Sequence, residues 1–131
     1  MLGPMAEFVV DGTDLVLRLT PMQKFGGLHG DVRVPLTAIR SVAPVRNPWL
    51  VLRGWRRSGI ALRGVTALGT WRHGDEFDFC YVRRSRPGLQ VDVASGQFVR
   101  LIVSLPEGSD PVAEANRLAG AAGIVASGPL N

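Results

Sequence analysis

Asp110-Pro-Val-Ala-Glu-Ala-Asn-Arg-Leu-Ala-Gly-Ala-Ala-Gly123 decides how the rest of this chain is read. Asp110 is an N-cap residue, Pro111 fits the first helical position, and Gly123 closes the run. Val112, Ala115, Leu118, Ala119 and Ala122 recur at helical spacing and share one face. The spacing predicts a single amphipathic helix at the end of a chain whose other strong signals are β-signals. Its apolar stripe needs a groove, and the open end or slot of a β-barrel supplies one.

Working back from that helix, short β-forming runs are separated by turn residues. Residues 7–10 and 15–19 flank Asp11-Gly12-Thr13-Asp14, and Asp-Gly between two such runs predicts a hairpin. Leu15, Leu17 and Leu19 alternate with Val16 and Arg18, which assigns the leucines to the core. Thr20-Pro21 opens a short connector helix that Gly26-Gly27 stops within two turns. Residues 31–35 and 37–45 are read as two strands around Pro35-Leu36, with Val32, Val34, Ile39 and Val42 facing the core. Pro35 cannot donate to a ladder and is placed at a strand end or edge. Residues 66–70, 76–83, 89–93 and 98–105 supply further strands, punctuated by His73-Gly74-Asp75, Arg86-Pro87-Gly88 and Ala94-Ser95-Gly96. The expectation is a mainly β domain, a β-barrel or orthogonal sandwich of about seven antiparallel strands capped by one C-terminal helix.

That order resembles the pleckstrin-homology-like (PH-like) fold, in particular the uncharacterised single-domain PH-like proteins of actinobacteria. The resemblance rests on Leu15-Val-Leu-Arg-Leu19, on Leu28-His-Gly-Asp-Val-Arg-Val-Pro-Leu-Thr-Ala-Ile-Arg-Ser-Val42, on Gly64-Val-Thr-Ala-Leu-Gly-Thr70, and on the helix after Asp110. It runs over about residues 7–123. It implies a fold and brings no catalytic residue with it. The basic lipid-binding motif of eukaryotic PH domains, in the first hairpin, is absent, because Asp11 and Asp14 make that turn acidic. Residues 1–125 are read as one domain and 126–131 as a disordered tail.

The chain has 131 residues, enough for one continuous core. Its apolar runs fall far short of the roughly 20 residues that span a bilayer, and Met1 to Ala6 lack the charge and apolar segment of a secretory signal. The expected location is the cytoplasm, with peripheral contact to a membrane if anionic lipid is the ligand. A single cysteine, Cys80, agrees with a reducing compartment and is read as an inert thiol in the strand Phe77-Asp-Phe-Cys-Tyr-Val82. The net charge is +4, but residues 40–86 hold ten arginines against three acids while the remainder holds five bases against eight acids. This asymmetry suits phosphate, anionic lipid or an acidic partner. Fourteen of the fifteen basic residues are arginine, which codon bias in a high-GC genome also produces.

The candidate binding element is the long segment 47–64, Asn-Pro-Trp-Leu-Val-Leu-Arg-Gly-Trp-Arg-Arg-Ser-Gly-Ile-Ala-Leu-Arg-Gly, read as a loop longer than compact domains usually contain. Asn47 caps one helical turn begun by Pro48. Trp49, Arg53, Trp55, Arg56, Arg57 and Arg63 are the candidate binding residues, since guanidinium reaches phosphate oxygens bidentately and indole sits at a headgroup boundary or stacks on a base. The same tryptophans equally serve to pin the loop to the core, with the arginines solvated.

His29-Gly30-Asp31 and His73-Gly74-Asp75 each precede a strand, but their spacing is that of turns and of no local metal motif; no metal or other cofactor is expected. There is no Gly-x-Ser-x-Gly elbow, no Walker loop and no Gly-x-Gly-x-x-Gly, and alternation separates Asp75 from Glu76. The sequence therefore points to a non-enzymatic binding module. An unidentified protein partner or self-association leads, anionic lipid at segment 47–64 is the alternative, and nucleic acid is disfavoured.

Overall fold

The structure, a computed structural model, describes residues 6–21, 23–24 and 30–131. Among them nine strands precede one helix: β1 (Glu7–Asp11), β2 (Asp14–Arg18), β3 (Val32–Pro35), β4 (Ile39–Val45), β5 (Trp55–Leu62), β6 (Thr66–His73), β7 (Glu76–Arg83), β8 (Gly88–Val93), β9 (Arg100–Ser104) and α1 (Pro111–Ala121). The chain is mainly β with a C-terminal helix, as the sequence predicts. It differs from the expected barrel in closure, strand number and direction. One sheet has the order β1-β2-β3 and the other β4-β8-β9-β7-β6-β5, and neither closes. A closed antiparallel meander requires sequence neighbours to lie side by side. Here β9 turns back from β8 into the place beside β7 and runs parallel to it, so β7 and β8 are parted.

The β1–β2 hairpin forms across Gly12-Thr13, with Gly12 at φ 60° in the left-handed region that the first position of such a turn requires. Arg33 on β3 reaches both carboxylates at that turn, Asp14 at 2.9 Å and Asp11 at 3.1 Å. Thr20 and Gln23 form a reciprocal cap at the opening of the connector, the Gln23 amide donating to Thr20 Oγ1 and the Thr20 amide to Gln23 Oε1. The expected stop at Gly26-Gly27 lies outside the described residues. Leu36–Ala38 make a 3-10 turn that carries the chain from one sheet to the other.

The main core lies between the sheets. Phe8, Leu15, Leu17, Val32 and Val34 on the small sheet meet Val42, Phe79, Tyr81, Leu89, Val91, Leu101 and Val103 on the large one, and Phe79 and Phe98 pack edge to face at 5.5 Å. Ala115, Leu118 and Ala119 of α1 complete it. Burying a leucine such as Leu118 contributes about 2 kcal/mol. Asp110 caps α1 by accepting from the amides of Val112 and Ala113, and the helix closes in a Schellman arrangement in which Ile124 N donates to Ala119 O and Gly123 N to Gly120 O. Residues 126–131, expected as a disordered tail, instead run along β4: Ser127 N donates to Val42 O, Leu130 N to Pro44 O, and Asn131 exchanges hydrogen bonds with the Asn47 backbone. The β4 edge offers unpaired backbone groups, and the tail takes them up.

Candidate functional site: an open strand edge ringed by arginine

Segment 47–64 is not a loop. Asn47 accepts from the Trp49 amide and caps the 3-10 turn Pro48–Val51, as its sequence predicts, but the chain then turns at Gly54 and enters β5. The turn lies against the face of the large sheet that looks away from the small one. There Trp49, Val51 and Leu52 cover Ala67, Trp71, Cys80, Val82 and Ile102, forming a second core. Trp49 therefore anchors the segment, and its Nε1 is buried without a hydrogen-bond partner.

Arg53 follows this turn and is committed within the fold. Its Nε donates to Asp78 Oδ2 at 2.7 Å and its terminal nitrogen to Oδ1 at 2.9 Å, and Asp78 is fully buried. The bidentate bond to Asp78 raises the Arg53 pKa above its ordinary value, against the opposing effect of burial. Strand register sets this pair in a row across the outer face: Ser41 on β4, Asp92 on β8, Arg100 on β9, Asp78 on β7, Trp71 on β6 and Arg56 on β5. Within the row Arg100 Nε donates to Asp92 at 2.7 Å and Ser41 Oγ to the same carboxylate at 3.0 Å. Asp78 is thus engaged by one guanidinium and Asp92 by a guanidinium and a hydroxyl, an arrangement that holds strands in register. Cys80, one pair further along β7, is buried, and desolvation pushes its thiol well above its usual range. Among the described residues no three metal-ligating side chains come together. His29 lies outside those residues, Asp31 accepts from the Leu19 amide, and His73-Gly74-Asp75 forms the β6–β7 turn.

The remaining candidates lie on or beside β5, which ends the large sheet and pairs through β6 alone. Comparisons with protein-family models, curated proteins and solved structures give no match. The strand must therefore be read from its own chemistry. It contributes no side chain to either core. Trp55 is 83% exposed, Leu62 57% and Ile60 41%. Pairing of Ile60 with Leu68 turns Ile60 and Leu62 toward the face that carries the main core, while Arg56, opposite Trp71, belongs to the outer face. Arg57 sits at a register shift between Arg56 and Ser58, and Arg63 at the turn into β6. Among the described residues Arg56, Arg57 and Arg63 make no ion pair.

Of the six residues singled out from the sequence, the structure brings together Trp55, Arg56 and Arg57 at one end of β5, places Arg63 just past its other end, and sets Trp49 and Arg53 apart as anchors. Ile60 and Leu62 were missed. Their signal is the alternation Ser58-Gly-Ile-Ala-Leu62, which Gly54, Gly59 and Gly64 disguise as loop.

Proposed function

We propose that this chain is a non-enzymatic interaction module whose β5 edge takes up an extended, acidic segment of a partner protein as an added strand. The observation that carries the reading is β5 itself, eight residues that are paired on one side, absent from both cores and lined by exposed Trp55, Ile60 and Leu62. Proteins normally blunt such an edge, because its free N–H and C=O groups recruit any extended chain. Here an edge of about 26 Å offers main-chain pairing for affinity and alternate side chains for specificity. Charge selects the occupant. From Arg53 to Gly64 there are four arginines and no acid, and only Arg53 is neutralised within the fold. A second copy paired antiparallel, with Trp55 opposite Leu62, would set Arg63 of each chain opposite Gly54 of the other and diagonal to Arg56, which like-charge repulsion opposes. An acidic segment meets the same residues favourably. A flat anionic membrane is the weaker reading, since Trp49 and Arg53 are withdrawn from the proposed surface. The PH-like identity belongs to this proposal as architecture only. Two packed sheets and a terminal helix support it, and the parallel β7–β9 pair departs from the family's antiparallel barrel.

The test is hydrogen exchange on the intact chain with the peptide (Glu-Val)4, with (Lys-Val)4 as control. Binding of the acidic peptide should slow exchange along β5, and Trp55→Ala should weaken it at least tenfold without lowering Tm. Protection elsewhere, or none at millimolar peptide, overturns the reading. A dimer abolished by Leu62→Lys would replace the acidic partner with a second copy.

A further inference from the structure

At the far end of the sheet from Trp55, the end of β4, the β5–β6 turn and the β7–β8 turn enclose an open groove of about 540 Å³. Arg46 and Trp49 line one wall, and Arg84 and Arg86 the other. The β5–β6 and β7–β8 turns are tied together, since the Arg84 amide donates to Val65 O at 2.9 Å. Arg86 faces Glu107 at 3.6 Å, and among the described residues Arg46 and Arg84 make no ion pair. Four guanidiniums elsewhere are compensated within the fold. Arg33, Arg53, Arg100 and Arg117 each meet one or two carboxylates at hydrogen-bond distance. In the groove three guanidiniums share one carboxylate, so two positive side-chain charges stand uncompensated.

We infer that this groove is a binding site for a phosphate monoester, held by Arg46, Arg84 and Arg86 and independent of the β5 edge. A phosphate monoester carries close to two negative charges at neutral pH and offers three acceptor oxygens, which matches both the surplus charge and the three donors around it. Guanidinium forks fit phosphoryl oxygens bidentately, so the arrangement distinguishes phosphate from a point anion. Trp49 and Pro87 add apolar wall beside the arginines, and the volume exceeds what one phosphoryl group fills. The ligand is therefore a phosphate group borne on a compact organic body, supplied by a free small molecule or by a lipid headgroup.

Backbone-amide NMR on the full chain tests it. Titration with glycerol 3-phosphate, with sulfate as the control dianion, should shift Arg46–Trp49 and Gly64 together with Arg84–Arg86, saturably and at least tenfold more tightly than sulfate. Arg46 and Arg84 are exposed, so the variant R46S/R84S should keep its Tm and lose the saturable shifts. Vesicles containing phosphatidic acid, a monoester, are compared with phosphatidylglycerol, a diester. Flotation with the first alone, lost in R46S/R84S, assigns the phosphate to a lipid, and glycerol 3-phosphate binding without flotation assigns it to a soluble ligand. Equal response to sulfate, shifts spread over the exposed arginines generally, or an unchanged titration in R46S/R84S overturns the site.

Discussion

The Arg53–Asp78 pair illustrates how one side chain changes meaning between sequence and structure. In the sequence Arg53 stands with Arg56 and Arg57 as a phosphate-binding group, and its long-range partner, twenty-five residues away on β7, is invisible. The carboxylate is the side that fixes the energetics, because Asp78 has no exposed surface and its two oxygens are both met by the one guanidinium. Removing Arg53 leaves that charge buried and unpaired. Arg53→Ala should cost about 3 kcal/mol in a denaturant titration, whereas replacing both members by apolar residues of similar size, as in R53M/D78V, should recover most of it. A loss near zero for Arg53→Ala would mean that Asp78 finds water or another donor, and would return Arg53 to the set of groups free to bind a ligand. Trp49 carries the same lesson, since Asn47-Pro48 correctly announced its turn while the surface beneath it, formed by Ala67, Cys80, Val82 and Ile102, comes from three other strands.

At the scale of elements, what was legible depended on whether the signal was local. The hairpin at Gly12, the cap at Asp110, the end of the helix at Gly123 and the alternation of Phe77, Phe79 and Tyr81 are local, and each element stands where its residues place it. β5 was illegible because half of its pattern belongs to its neighbour. Gly59 pairs with Gly69, and a Cβ on Gly59 would come within 2.0 Å of Leu68 O, one on Gly69 within 2.3 Å of Ser58 O. Both glycines hold left-handed φ values, 101° and 138°. Two strands approach so closely there that glycine is required on each, and glycine read alone suggests a loop. Gly69→Ala should destabilise the domain by about 3 kcal/mol, since strain and a backbone collision coincide, and should loosen β5 first. Hydrogen exchange would show β5 amides exchanging faster than those of β7 in this variant; uniform acceleration across the large sheet would instead make β5 and β6 one cooperative unit with the core.

For the whole molecule, the two edges of the large sheet are treated in opposite ways. The β4 edge is doubly covered, by α1 packed along it and by residues 126–131 hydrogen-bonded to Val42, Pro44 and Arg46, while the β5 edge carries no such cover among the described residues. Arg117 of α1 donates to Phe8 O at 3.1 Å and so ties the helix to the small sheet as well. The sequence showed a helix needing a groove, and the groove turns out to be the seam between two open sheets, because β9 occupies the position through which an antiparallel meander would have closed. Covering one edge of the large sheet and leaving the other free gives that sheet a single edge at which to add a strand. Truncation after Ala126 should therefore do two things at once. Loss of the hydrogen bonds from Ser127 and Leu130 should lower stability by about 1–3 kcal/mol, and exposure of β4 should create a second pairing edge, seen as concentration-dependent self-association in sedimentation equilibrium that the intact chain does not show. If the truncated chain stays monomeric and still binds (Glu-Val)4 along β5 with unchanged affinity, α1 alone suffices to guard β4 and the tail contributes only stability. If it associates through β4 and keeps its β5 affinity, the two edges are independent, and the asymmetry of cover is what confines the large sheet of the intact protein to one partner strand.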